Sequence, residues 1–188
     1  MPNTFSGVGS FSGAGSLSAP IVYSIGDTGP GGGKIFYDAG STLSWGRYME
    51  AANSSTSPAF NLTQQLNWSG NGNTLVGTST AIGAGLTNSI AIVAQNSTAN
   101  KAATRCRSYT GGGKTDWFLP SRLELAQLYL QKTVVGGFPT SGTAAQTYYW
   151  ASSEQFTSDA HIQSMVDGTQ DYSDKGTGAF PVRAIRYV

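Results

Sequence analysis

The chain holds one cysteine, Cys106, and one histidine, His161, among 188 residues. A single thiol excludes a disulfide framework within the chain. A zinc site of the Cys/His kind would need ligands that are missing here. A Cys–His nucleophile pair is formally available, but a lone cysteine more often serves as a small buried hydrophobe. Charge is scarce as well. Asp, Glu, Lys and Arg make up 11 % of the chain, and the net charge is +1. The usual share is about a quarter, so no strong field draws the chain to nucleic acid or to an anionic membrane. No run of 18 apolar residues occurs, so no segment is expected to span a bilayer. The opening MPNTFSGVGS has neither Lys, Arg nor an apolar stretch, and does not read as a secretory signal.

Small polar residues and rings fill the space that charge leaves. Gly, Ser and Thr make 68 of the 188 residues, yet aromatics reach 11 %, with four Trp and nine Tyr. A disordered chain would lack those rings. The composition therefore predicts a loop-rich folded domain, residues 21–188, behind an arm, residues 1–20. The arm carries a six-residue repeat, FSGVGS FSGAGS, followed by LSAP. An even period keeps Phe5 and Phe11 on one face of an extended strand. The same segment also reads as a plain Gly/Ser linker. The regular Phe5, Phe11 and Leu17 favour an anchoring arm, and rings that such an arm cannot bury alone imply a partner chain.

Within the domain the pattern predicts strands at 21–25, at KIFYDAG and at 47–52, with long loops over 53–81. Helices follow at 87–95, where Thr87 or Asn88 is expected to cap and Ile90, Val93 and Ala94 to share the buried face, and at 99–109. The strongest local signal is PSRLELAQLYLQK, where Ser121 and Glu124 form an S-x-x-E capping box. Its expected apolar stripe is Leu123, Ala126, Tyr129 and Leu130. Three strands close the chain at TYYWASS, AHIQSMVD and FPVRAIRYV, with GTQDYSDKGTG as a turn between the last two. Strands, then helices, then antiparallel strands make the class α+β.

Most motifs that suggest chemistry fail on inspection. GPGGGKI and TGGGKTDW imitate a phosphate loop, but Lys34 is followed by Ile35, and Ser108 stands where the second pattern needs glycine. Their glycines are expected to make tight turns at positive φ. The four N-x-[ST] triplets are expected by chance in so Ser/Thr-rich a chain. Two nearby carboxylates would suit glycoside hydrolysis, but the three Glu and seven Asp show no marked pair. Arg183 or Arg186 is expected to find Asp116 or Glu154 internally. Trp117 and Trp150 are expected in the core, while for Trp68, Phe156 and Tyr172 burial and exposure are equally open. Rings beside amides suit sugar faces or protein epitopes. The candidate contact residues are Trp68, Asn71, Asn73, Phe156, His161, Gln170 and Tyr172, with no catalytic residue, cofactor or metal.

Seven strings stand in this order: IGDTGPGGGKIFY, YMEAA, AIGAGLTNSIAIVAQ, AATRCRSY, DWFLPSRLELAQLYLQK, YWASSE and VRAIRYV. Together they resemble the C-terminal domain of the bacterial collagen-like adhesin Lcl and its relatives, over residues 21–188. The resemblance implies a C-type-lectin-like fold with short antiparallel sheets, two to three helices and long loops. It implies adhesion or ligand display, often as trimers on surfaces or virions, and no reaction. The adhesin's sulfated-glycan binding rests on basic charge that this near-neutral chain does not carry. The lectin calcium motifs E-P-N and Q-P-D are absent, and sulfatase-activating enzymes of similar fold use a Cys pair. The expectation is a non-enzymatic virion or surface protein that binds a glycan or protein, anchored by its arm. The alternatives are a purely architectural fibre or decoration subunit and, remotely, an enzyme.

Overall fold

The structure is a computed structural model that describes residues 21–53 and 64–188. The proposed anchors Phe5, Phe11 and Leu17 lie outside the described residues. Among those residues the chain is α+β, with two three-stranded antiparallel sheets and five short helices. The first hairpin joins β1 (Lys34–Leu43) to β2 (Gly46–Ala51). Helices α1 (Gly85–Gln95), α2 (Ala102–Arg107), α3 (Arg122–Leu130), α4 (Lys132–Val135) and α5 (Ala144–Thr147) follow. The chain then forms β3 (Tyr148–Glu154), β4 (Asp159–Ser164) and β5 (Gln170–Asp174), which pair in sequence order. Finally β6 (Ile185–Tyr187) returns to pair with β2, so the last strand completes the first sheet.

Two apolar clusters hold these layers. One joins Trp68, Ile92, Cys106, Trp117, Leu119 and Trp150 between the second sheet and helices α1 and α2. The other packs Phe36, Met49, Phe118, Leu125, Leu128 and Ile185 between the first sheet and α3. Full burial of side chains of this size contributes about 1.5–3 kcal/mol each. Trp117 and Trp150 are core rings as the sequence suggests, and Cys106 is wholly buried. Trp68 belongs with them: its indole is wholly buried and donates to the Ala151 carbonyl at 2.7 Å.

The capping box forms as its spacing demands. Ser121 Oγ accepts from the Glu124 amide, and Glu124 accepts from the Ser121 amide at 2.7 Å. The face of α3 differs from the expected stripe. Glu124, Leu125 and Leu128 are buried, whereas Leu123 and Leu130 are exposed. The reason is that Glu124 has further partners. It accepts from the Tyr187 hydroxyl at 2.6 Å and from the Gly83 and Gly85 amides at 2.8 and 3.4 Å. Facing those donors fixes the rotation of the helix. The same carboxylate serves the N-terminus of α1, where an acid suits the free amides and the dipole. That helix therefore starts at Gly85, without Thr87 or Asn88 as its cap. Asn88 is instead buried, bonded to both Ser79 backbone groups and to Ser152. Its buried face is Gly85, Asn88, Ser89 and Ile92, and Ile90 is exposed.

Three strand expectations change as well, and of the expected strand FPVRAIRYV only Ile185–Tyr187 is strand. Residues 21–25 form no strand. Conversely, QDYSD, read as part of a turn, is β5, drawn into the sheet by five register pairs with β4. Its alternation is polar because it is an outer strand, half exposed along its length.

The glycine turn that imitates a phosphate loop does enclose an anion, and that anion is Glu50. The buried carboxylate accepts from the Gly31 amide at 3.0 Å and the Gly33 amide at 2.6 Å. Arg186 closes the other side at 3.1 Å and forms a two-point bond to Asp116 at 2.8 Å. Of the residues in this turn, Gly32 has positive φ, at 76°. Gly29, Gly31 and Gly33 are required for a different reason: a Cβ there would strike the Glu50 side chain, Trp117 or the Ala51 carbonyl. Glu154, the other expected arginine partner, instead pairs with Lys175 at 2.6 Å, both side chains almost fully buried.

Candidate functional site

Strands β4 and β5 set His161 directly opposite Tyr172 and Gln163 opposite Gln170. Opposed residues of an antiparallel pair share a face, as do residues two apart. His161, Gln163, Gln170 and Tyr172 thus line one side of the hairpin. Helix α3 starts beside them, and Arg122 Nε donates to Gln170 Oε1 at 3.0 Å. The result is a shallow cleft of about 210 Å³ lined by Arg122, Gln155, His161, Gln170, Asp171 and Tyr172.

A pair of rings marks its rim. Phe156, in the turn between β3 and β4, meets Tyr172 edge to face, with centroids 5.5 Å apart and planes at 89°. Phe156 is 52 % exposed and Tyr172 49 %. Exposed rings arranged this way keep faces and edges open to a partner. Beside them Arg122 and Asp171 supply one charge of each sign, and Gln155 and Gln170 supply amides. His161 is buried beneath, so its part is to line the floor. Burial and the nearby Arg122 cation hold its imidazole below the ordinary value of 6.5, against a hydrogen bond with the Asp171 backbone. It is therefore neutral at pH 7.

The structure gathers Phe156, His161, Gln170 and Tyr172, and separates the other three candidates from this cleft. Trp68 is in the core. Asn71 is half-buried, its Oδ1 accepting from Asn96 Nδ2 at 2.9 Å. Asn73 is exposed on the same segment. Arg122, Gln155 and Asp171 complete the lining, and nothing in the local pattern singles them out.

The most consequential residue outside the expected set is Lys175. Its ammonium bonds Glu154 Oε1 at 2.6 Å, the Thr157 carbonyl at 2.7 Å and the Thr74 carbonyl at 3.3 Å, above the Trp68 ring. Glu154 in turn accepts from the Val76, Gly77 and Thr78 amides. Lys175 and these donors hold the Glu154 carboxyl below its ordinary range despite burial. This pair pins the turn that carries Phe156 and the 74–78 segment to one point. The scarcity of charge is the available signal: in so neutral a chain, each acid and base is a candidate internal fastener.

Cys106 is wholly buried, and burial pushes its thiol well above the ordinary range, away from the reactive thiolate. Among the described residues no group of three His, Cys, Asp or Glu side chains is placed to hold a metal ion, and no helix is long and apolar enough to cross a membrane. No protein-family model matches the chain, and no curated protein sequence is significantly similar to it.

Proposed function

We propose that this chain is a non-enzymatic structural protein of a virion or other extracellular surface assembly. Its domain, residues 21–188, binds a glycan or protein ligand, and residues 1–20 anchor it to neighbouring subunits, as a trimer. The observation that carries the reading is the exposed Phe156–Tyr172 pair beside a cleft of amides and balanced charge. Short antiparallel sheets, short helices and long connections support a C-type-lectin-like assignment within the α+β class. Function concentrates on loops and strand ends held by a rigid frame, and the Glu154–Lys175 fastening supplies that rigidity here.

A purely architectural role is the second reading. It is favoured by the exposed Ile21 and Val22 where the arm joins the domain. An enzyme of the sulfatase-activating kind is disfavoured by the buried, proton-retaining thiol of Cys106.

The test applies the full chain, labelled, to host cells and to an array of neutral and acidic oligosaccharides, beside Phe156→Ala and Tyr172→Ala variants. The expected result is binding that falls at least tenfold in either variant with unchanged thermal unfolding. Binding by both variants at the wild-type level removes the cleft from the reading. No binding by the wild type leaves the architectural role.

A further inference from the structure

The two charges at the Phe156–Tyr172 cleft are engaged differently. Asp171 alternates away from the Gln170–Tyr172 face of β5, and its Oδ1 accepts from the Tyr172 amide at 2.9 Å. Arg122 spends only Nε, on Gln170 Oε1 at 3.0 Å. Among the described residues its two terminal amino groups form no hydrogen bond and no ion pair. The guanidinium therefore keeps two parallel N–H donors in one plane. A carboxylate, planar and with two oxygens, matches such a fork end-on.

That fork is held from behind. Gln170 Nε2 donates to Gln163 Oε1 at 3.5 Å, and Gln163 Nε2 donates to the Gly168 carbonyl at 3.2 Å. Gln163 is buried, so the relay ends on backbone in the turn between β4 and β5. Each amide then has one satisfied orientation, oxygen toward Arg122 and nitrogen toward the turn. A long side chain fixed before its ligand arrives loses little further freedom on binding.

The remaining surface suits a hydroxylated ring. The neutral His161 gives its N–H to the Asp171 backbone, which leaves its other ring nitrogen as an acceptor for a hydroxyl. Gln155 adds an exposed amide. The Phe156 and Tyr172 rings stand at right angles and offer a surface for the C–H face of a sugar. A cleft of about 210 Å³ admits one ring. A plain fatty-acid or peptide carboxylate would leave the His161 acceptor unmet. We propose that this cleft recognises a glycan through a terminal carboxylated sugar, its carboxylate paired end-on with Arg122. Sialic and uronic acids both carry that group.

The inference rests on the reading of the cleft as a ligand site and names the class of ligand. The full chain is titrated with sialyllactose, the methyl ester of sialyllactose, glucuronyl-lactose, sulfated lactose and lactose. At least one of the two acids is expected to bind about tenfold or more tightly than the ester and lactose, and the better of the two identifies the source. This comparison uses the wild-type chain alone. Arg122→Lys keeps the charge without the fork, and Arg122→Gln removes both. Each is expected to erase the preference for acid over ester with unchanged thermal unfolding. Equal binding of acid and ester overturns the proposal, as does sulfated lactose binding as well as the acids. Neutral-sugar or cell binding that is lost in Phe156→Ala but kept in Arg122→Gln leaves the cleft as a ligand site and removes the carboxylate. If none of the five sugars binds, the proposal falls.

Discussion

Trp68, in a loop, and Trp150, in β3, are each tied to the other's chain segment by their indole N–H groups. Trp68 Nε1 donates to the carbonyl of Ala151, next to Trp150, and Trp150 Nε1 donates to the carbonyl of Leu66, two residues before Trp68, each at 2.7 Å. The pairing brings a loop segment into the second sheet, although Leu66 makes only an isolated bridge to Phe180. Replacing either indole by Phe removes a buried donor and leaves space. Each change is expected to cost about 1–3 kcal/mol. The two indoles share one contact region, so the double variant should depart from additivity by about 0.5–3 kcal/mol. Urea unfolding followed by circular dichroism measures both.

Arg186 bridges one deeply buried acid and one half-exposed acid, and these should differ in weight. Glu50→Ala leaves the Gly31 and Gly33 amides without their acceptor and removes half of a buried pair. A loss of about 3–5 kcal/mol is expected. Asp116→Asn acts at a side chain half open to water, where an ion pair is worth about 0–1 kcal/mol. Equal losses in denaturant melts would refute this ranking. Gly33→Ala should resemble Glu50→Ala, because its Cβ would meet the Ala51 carbonyl.

Lys175→Met leaves the buried Glu154 carboxylate with its amide donors but without its counter-charge, and about 3–5 kcal/mol should be lost. Pairing it with Glu154→Gln removes the unpaired charge and should recover part of that loss. The specific sign is local: amides 76–78 should exchange hydrogen far faster in the single variant than in the wild type, because their acceptor is no longer held.

His161 gives the protein an acid limb of its own. Its folded-state pKa lies below 6.5, so the unfolded chain takes up the proton first as the pH falls. Stability from this residue is complete above about 6.5 and declines as the pH drops from there toward the folded value. Glu124 runs oppositely. Burial raises its carboxyl above 4.5, so its contribution is full below that value and weakens as the pH rises through the folded one. Because His161 is the only histidine, its imidazole Hε1 resonance is unambiguous by NMR, and its midpoint should fall below 6.5. His161→Gln should flatten the stability profile between that midpoint and pH 6.5. A midpoint above 6.5 would contradict the buried placement.

Local chemistry was legible and rotation was not. The spacing Ser121-x-x-Glu124 announces a helix start because both partners sit within one turn. The side of that helix which faces inward is set by Tyr187 and by two glycine amides, all distant in sequence. The same holds for the turn at 29–33: its glycines are visible in the sequence, but the anion they enclose comes from β2. Tyr172 and Phe156 stand out in the sequence by their ring character, whereas Arg122 enters the cleft through the packing of α3 on β4. Trp68 has no apolar periodicity around it, and only the indole bonds across to the second sheet reveal it as core.

Ile21 and Val188 border the same pocket, and the Val188 carbonyl takes the Arg47 and Tyr48 amides at 2.9 Å. Residues 21 and 188 therefore meet at one doorway. A circular permutant that joins residue 188 to residue 21 through a short linker should keep the fold of the described residues, as circular dichroism and thermal unfolding would show. A bulky fusion at Val188, by contrast, would stand in that doorway, so affinity handles belong on an exposed turn elsewhere.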